Sequence, residues 1–301
     1  ARHVDRVGAG ADTINMTRGK VTLSDSLADM DDDILVGADS SDALHFDGVY
    51  ATQDDVSIVR TATTATIVIG GVDIDMDGDF TDGEFMIDAR GSGSDADTTV
   101  TFVSYLPTLG EGVSVNPDAI NGVANQAFLT GDGTLDFTLS LLSAVSAFSN
   151  TLGFYKVDAD GNIFDVNIVF ANTLSPGTTT FDLGAPGDGV QLGFFLIQDG
   201  FDLFGNLPEN LAFVLSGGQA ANIDAGEPLF LQSASRGMLS GATIFHSFAD
   251  LNPDGADQVL SGVVPGGRQL QIGFEDLPTA SGDNDFQDVV IVIRLTDDSI
   301  L

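Results

Sequence analysis

The stretch Ile272–Leu295, IGFEDLPTASGDNDFQDVVIVIRL, constrains the fold more tightly than any other part of the chain. Leu270, Ile272 and Phe274 alternate with other residues, which suits a strand with one wet face. Val289 to Ile293 form an unbroken β-branched run, which suits a strand covered on both faces. The connection between these strands holds Glu275, Asp276, Asp283, Asn284, Asp285 and Asp288. Carboxylates this close repel, and their pKa values rise unless a cation sits among them. Hard oxygen donors at this density suit Ca²⁺, which takes about 6–8 oxygen ligands. The plainer reading is a solvated acidic turn.

Composition extends the β reading to the whole chain. A hydrophobic fraction of 43% supports a core, and 36 glycines among many Thr, Ser, Asp and Val favour strands and tight turns over helices. The expectation is an all-β protein of two consecutive β domains, the second a β-sandwich with jelly-roll-like topology, both carrying Asp-rich calcium loops. The net charge of −35 repels nucleic acid and anionic membrane surfaces, and divalent cations are its natural counterweight. The chain has no cysteine, so disulfides do not staple it. No apolar run approaches the roughly 20 residues of a membrane helix, so membrane insertion is not expected. No signal peptide is recognisable, and the start at Ala1 suggests a fragment or a processed product.

The first domain is expected over residues 1–105. Val7–Asn15 (VGAGADTIN) approximates one nonapeptide of an RTX β-roll, with a weak echo at Gly37–Asp39. A β-roll needs several stacked repeats, and the sequence offers this copy alone. Ser24–Asp33 reads as a solvated connection or one helical turn. VDIDMDGDFTDGEF is the strongest local motif: Asp73, Asp75, Asp77, Asp79 and Glu84 stand at positions one, three, five, seven and twelve of an EF-type loop, with Gly78 at six. The flanks look extended, so the loop is expected to join strands and to hold a structural ion.

Residues 106–125, rich in Gly and Pro, have the composition of a linker or long loop, and the second domain is expected over 126–301. Asp158, Asp160 and Asn162 form a DxDGN turn, which is ordinary hairpin chemistry as well as a candidate ion site. Pro208 and Glu209 are suited to opening a short helix. Asp250, Asn252, Asp254 and Asp257 surround a Pro-Asp-Gly turn that would share a cation cluster with the C-terminal loop if the two met in space.

GFEDLP, a short spacer and GDNDFQDVVIVI together resemble the closing signature of the domain-of-unknown-function family 4114, with Gln287 where that family commonly has Asn. GFYKVDADGNI (Gly153–Ile163) and LGFFLIQDG (Leu192–Gly200) resemble the family too, extending the likeness over about Ala147 to Leu295. The resemblance implies an extracellular, Ca²⁺-associated module of a large bacterial surface or secreted protein, with no established enzymatic activity. Acidic, cysteine-free, calcium-dependent chains also look like type I secretion substrates.

No HExxH, GxSxG, phosphate-loop or dinucleotide motif is present, and His3, His45 and His246 lack metal-ligand spacing. His246 sits in an apolar run and reads as a packed residue. The expected function is therefore non-enzymatic: a calcium-binding, adhesin-like module at the cell surface, with glycans or surface polysaccharide as partners. A scaffold resembling an S-layer, assembling with copies of itself through calcium, is the alternative. A polysaccharide-acting enzyme ranks third.

Overall fold

A computed structural model describes residues 2–5, 11–17, 21–39, 42–52, 54–91, 93–115, 129–131, 133–207, 210–265 and 269–295. The chain divides into two units, Ala1–Tyr105 and Leu106–Leu301. Strands are nearly all of the regular structure in both, in keeping with the composition.

The first unit begins as a coil. Strands β1 (Arg2–Asp5), β2 (Thr13–Asn15), β3 (Val21–Asp25), β4 (Ile34–Ala38) and β5 (Ala43–Asp47) alternate between two sheets. β1, β3 and β5 pair in parallel in one sheet, while β2 and β4 pair in parallel in the other. Antiparallel strands finish the unit: β6 (Val56–Arg60), β7 (Thr64–Ile69), β8 (Val72–Gly78), β9 (Gly83–Arg90) and β10 (Asp97–Ser104). β8 joins the second sheet parallel to β4, giving orders β1-β3-β5-β10-β9 and β2-β4-β8-β7-β6.

Levels of the coil are tied by aspartates. Asp33 Oδ1 accepts from the Asp12 amide at 2.8 Å, and Asp42 Oδ1 accepts from the Val21 amide at 2.9 Å, each pair 21 residues apart in sequence. Apolar residues between them, among them Ile14, Leu23, Leu35, Leu44 and Phe46, fill one core with Ile67, Ile74, Phe80 and Phe102. Parallel strands thus stack here without a repeated nonapeptide. The Val7–Gly10 part of that motif lies outside the described residues. The Ser24–Asp33 connection is only partly solvated: Asp25, Met30 and Asp33 are buried, while Ala28, Asp31 and Asp32 are exposed.

The second unit has two antiparallel sheets. Its strands are β11 (Phe137–Ala144), β12 (Thr151–Val157), β13 (Ile163–Phe170), β14 (Thr180–Gly184), β15 (Gln191–Ile197), β16 (Leu211–Val214), β17 (Phe230–Ser233), β18 (Gly237–Met238), β19 (Ile244–His246), β20 (Val259–Val263), β21 (Gln269–Phe274) and β22 (Val289–Leu295). A short helix, α1 (Gly200–Phe204), follows β15. The orders are β14-β11-β22-β21-β20 and β18-β17-β16-β13-β12-β15-β19. Phe154 of β12 and Phe181 of β14 meet between the two sheets at 6.0 Å. The hairpins β20-β21-β22 and β16-β17-β18 join consecutive strands, whereas the neighbours β14-β11-β22, β16-β13 and β12-β15-β19 are not consecutive, so the chain crosses repeatedly between the two sheets. Tyr155, Phe195, Phe213 and His246 pack ring on ring in the core of the larger sheet. His246 is a packed residue whose pKa burial pushes down to about 3. Pro208 and Glu209 lie outside the described residues.

Candidate metal centre

The β21–β22 hairpin builds the site. Phe274 pairs with Val289, so Glu275 and Asp288 leave the sheet side by side, and residues 275–288 form the connection. β22 lies between β11 and β21 with Val289, Val290, Ile291 and Ile293 buried, so the loop springs from the middle of a covered sheet. Two groups of three carboxylates converge there: Glu275, Asp276 and Asp288, and Glu111, Asp283 and Asp285. Within each group one oxygen per residue lies within 4.8 Å of the others. Donors on one calcium ion stand no farther apart than about twice the Ca–O distance, roughly 4.6–5.2 Å, so both groups fit a single ion's shell.

Neighbouring segments hold these carboxylates in place. The Asp276 amide donates to Asp288 Oδ2 at 2.8 Å, while Asn150 Nδ2 and Ser146 Oγ donate to Asp276 Oδ2 and Gln198 Nε2 donates to its carbonyl. Asp285 accepts from the Gly112 amide at 2.7 Å and the Gln287 amide at 3.1 Å. Gln287 Nε2 donates to Glu111 Oε2 at 2.7 Å and to the Val145 carbonyl, which makes Gln287 a support for a ligand group. Asn284 and Phe286 flank Asp285 with φ of 57° and 56°. A buried phenylalanine in the left-handed region is costly, and such strain persists only where the surroundings impose it.

Glu275 is the outlier. It is 1% exposed, yet neither carboxylate oxygen has a hydrogen-bond partner. Burial pushes its pKa up to about 7, and the charges of Asp283, Asp285 and Asp276 add to the shift; the Leu277 amide offsets a little of it without completing a hydrogen bond. Asp288 is pushed up to about 8, first by burial and then by Asp276, Glu275 and Asp285. Burying a charge without compensation is expensive. The donor set, all oxygen and all carboxylate, fits a hard divalent cation such as Ca²⁺.

Among the described residues, the other predicted ligands belong to neither group. Asp73, Asp75 and Asp77 lie on strand β8, not in a loop: their side chains take the exposed face while Ile74 and Met76 enter the core. Next-but-one side chains on a strand stand roughly 6.6 Å apart, too far for a shared ion. Gly78 is required because a Cβ there would stand 2.0 Å from the Ala38 carbonyl oxygen. Asp79 bonds Thr81 in a tight turn, and Glu84 on β9 accepts from the Tyr105 hydroxyl. Asp158 binds the Asp160 amide and both nitrogens of Asn162, so its carboxylate organises the hairpin. Buried Asn252 accepts from the His246 amide and donates to the His246 and Ala256 carbonyls. Asp250 and Asp257 are exposed. Asp254 reaches the C-terminal loop through the Thr279 amide at 3.2 Å, so the two loops do meet, but the third carboxylate of the outer group is Glu111. Sequence reading missed Glu111, Ser146, Asn150 and Gln198. The one available signal was a lone acid in the Gly-rich LGEG stretch.

An all-β unit closing on an oxygen-lined acidic hairpin is therefore the class this site defines. The family model described as "Domain of unknown function (DUF4114)" matches residues 187–296, which include Gln198 and the whole 275–288 loop. Glu111, Ser146, Asn150 and the Gly153–Ile163 element lie outside the matched stretch. No curated protein and no solved structure matches the chain.

Proposed function

We propose that the chain is a calcium-stabilised, adhesin-like module of a secreted bacterial surface protein, serving surface attachment or glycan binding. Glu275 carries this reading: a buried carboxylate with both oxygens unpartnered among other acids needs a cation. The net charge of −35 supports an ion-rich exterior setting, where calcium reaches millimolar levels. A site of roughly 10 μM affinity there adds about 2.7 kcal/mol of stability. A chain of this kind, exported by a type I route in the RTX manner, would fold on meeting calcium outside the cell. The exposed position of Asp283 leaves one side of the loop open to the vicinal hydroxyls of a sugar.

A glycan array probed in calcium and again in EDTA tests the reading. Binding in calcium that EDTA abolishes supports it. Calcium-driven assembly into sheets or filaments without any glycan signal would replace it with a scaffold role, and turnover of a polysaccharide would replace it with an enzyme.

A further inference from the structure

We infer that a cation on Glu275, Asp276 and Asp288 fastens the two sheets of the second unit to each other, and that Asn150 is the positioning residue that makes the connection. The inference rests on the calcium reading above and adds what the bound ion controls.

The three carboxylates belong to the connection between β21 and β22, which lie in the five-stranded sheet. Their oxygens divide into two sets. Asp276 Oδ2 accepts from Asn150 and Ser146, and Asp288 Oδ2 accepts from the Asp276 amide at 2.8 Å. Oδ1 of each aspartate and both oxygens of Glu275 have no donor among the described residues, although Glu275 is 1% exposed. Among the described residues no Lys or Arg pairs with these acids either. One set of oxygens is thus spent on holding the loop, and the other is left to an ion.

The donors to Asp276 come from the other sheet. Asn150 directly precedes β12 and Gln198 directly follows β15, and these strands pair with Thr151 opposite Ile197. The adjoining ends of two neighbouring strands therefore converge on one residue of the ion loop. Asn150 Nδ2 donates to Asp276 Oδ2 at 2.5 Å, and Gln198 Nε2 donates to the Asp276 carbonyl at 2.8 Å. Asn150 is fully buried and uses both ends of its amide, since its Oδ1 accepts from the Asp199 amide at 3.0 Å. Asp199 stands at φ 53° and opens α1, whose Phe201 amide donates to the Ser149 carbonyl at 2.9 Å. An isosteric Asp could not donate here and an isosteric Leu could do neither, so the position calls for an amide.

Like charges within 4.8 Å of one another repel when no cation lies among them. Asp276 moves away from its neighbours only by letting go of Asn150 and Gln198. Ion occupancy therefore governs how tightly residues 198–200 are tied to the loop.

The test follows amide exchange by NMR in the full chain. The Asp199 amide should exchange at least tenfold faster in EDTA than in calcium. That change should exceed the one at the Ile163 amide, which bonds the Ala221 carbonyl in the same sheet and reports general loosening. Asp288→Asn keeps Asn150 and the side-chain bonds of Asp276, so its effect passes through the ion. In calcium its Asp199 amide should exchange at the wild-type EDTA rate. Asn150→Ala should bind calcium at least tenfold more weakly by titration calorimetry. If melting in EDTA shows that variant unfolded, the half-buried Gln198→Ala takes its place, with binding at least threefold weaker. If calcium binds and Asp199 responds no more than Ile163, or Asp288→Asn leaves it unchanged, the fastening is refuted while the calcium reading stands. Binding as tight as wild type in Asn150→Ala would refute its positioning role. If the wild type binds no calcium, the calcium reading itself fails.

Discussion

Glu275→Gln keeps the side chain's shape and removes its charge, and so separates burial from electrostatics. In calcium-free protein the carboxyl titrates near 7 instead of 4.5. At 1.36 kcal/mol per unit that shift is worth about 3 kcal/mol, and solvent admitted at the exposed Asp283 reduces it to roughly 1–2 kcal/mol. The folded state binds this proton more tightly than the unfolded chain does. The stabilising contribution is therefore complete below about pH 4.5 and lost as pH rises through about 7. Calcium-free wild type should lose that amount between pH 5 and pH 8, and the Gln variant should lack this share of the loss. The second unit spans residues 106–301, a size at which each kcal/mol moves the melting temperature by about 2–4 °C. Calorimetry in EDTA at pH 5, 6, 7 and 8 should show wild type falling about 2–8 °C further than Glu275→Gln. In saturating calcium the order at pH 8 should reverse, since the wild type alone has the full ligand set. Identical pH dependence of the two proteins in EDTA would refute the reasoning, because it would mean that Glu275 carries no buried charge.

Gly282→Ala should weaken calcium binding at least tenfold by titration calorimetry, since its Cβ would stand 2.6 Å from Glu275 Oε1 and displace that carboxylate. Asp75→Asn should leave the calcium count unchanged and stability within about 0.5 kcal/mol by urea unfolding, because the residue sits on the exposed face of a strand; loss of an ion would restore the EF-type reading. Asp42→Ala removes the acceptor for the Val21 and Asp39 amides and should destabilise the first unit by about 1–3 kcal/mol in the same assay, with the second unit's transition unmoved.

Much of the fold and the identity of the acidic hairpin were legible in the sequence, because period-two alternation and β-branched runs are local signals. Val289–Ile293 reads as a strand covered on both faces and lies at the centre of its sheet. The same period explains the misreading at Asp73–Asp77. DxDxDG satisfies an EF-type template and a half-wet strand equally well, and Ile74 and Met76, buried between the aspartates, decide for the strand. Gly78 looks like a turn residue, yet it is dictated by the Ala38 carbonyl, 40 positions earlier. Glu111 was invisible for a related reason. It lies 172 residues from Asp283, and no local pattern marks a ligand delivered by a distant segment. The parallel coil was obscured too, because Asp33 and Asp42 accept from amides 21 residues back and no repeated motif marks that spacing.

The central claim is that the buried acids of the 275–288 loop are held by calcium. Melting the dialysed full-length chain in EDTA and in millimolar calcium at pH 7.5, with metal analysis of the same samples, tests it most directly. Bound calcium should remain after dialysis into metal-free buffer, and the second unit's melting temperature should rise by about 5 °C or more when calcium is restored. No retained calcium and an unmoved melting temperature would contradict it.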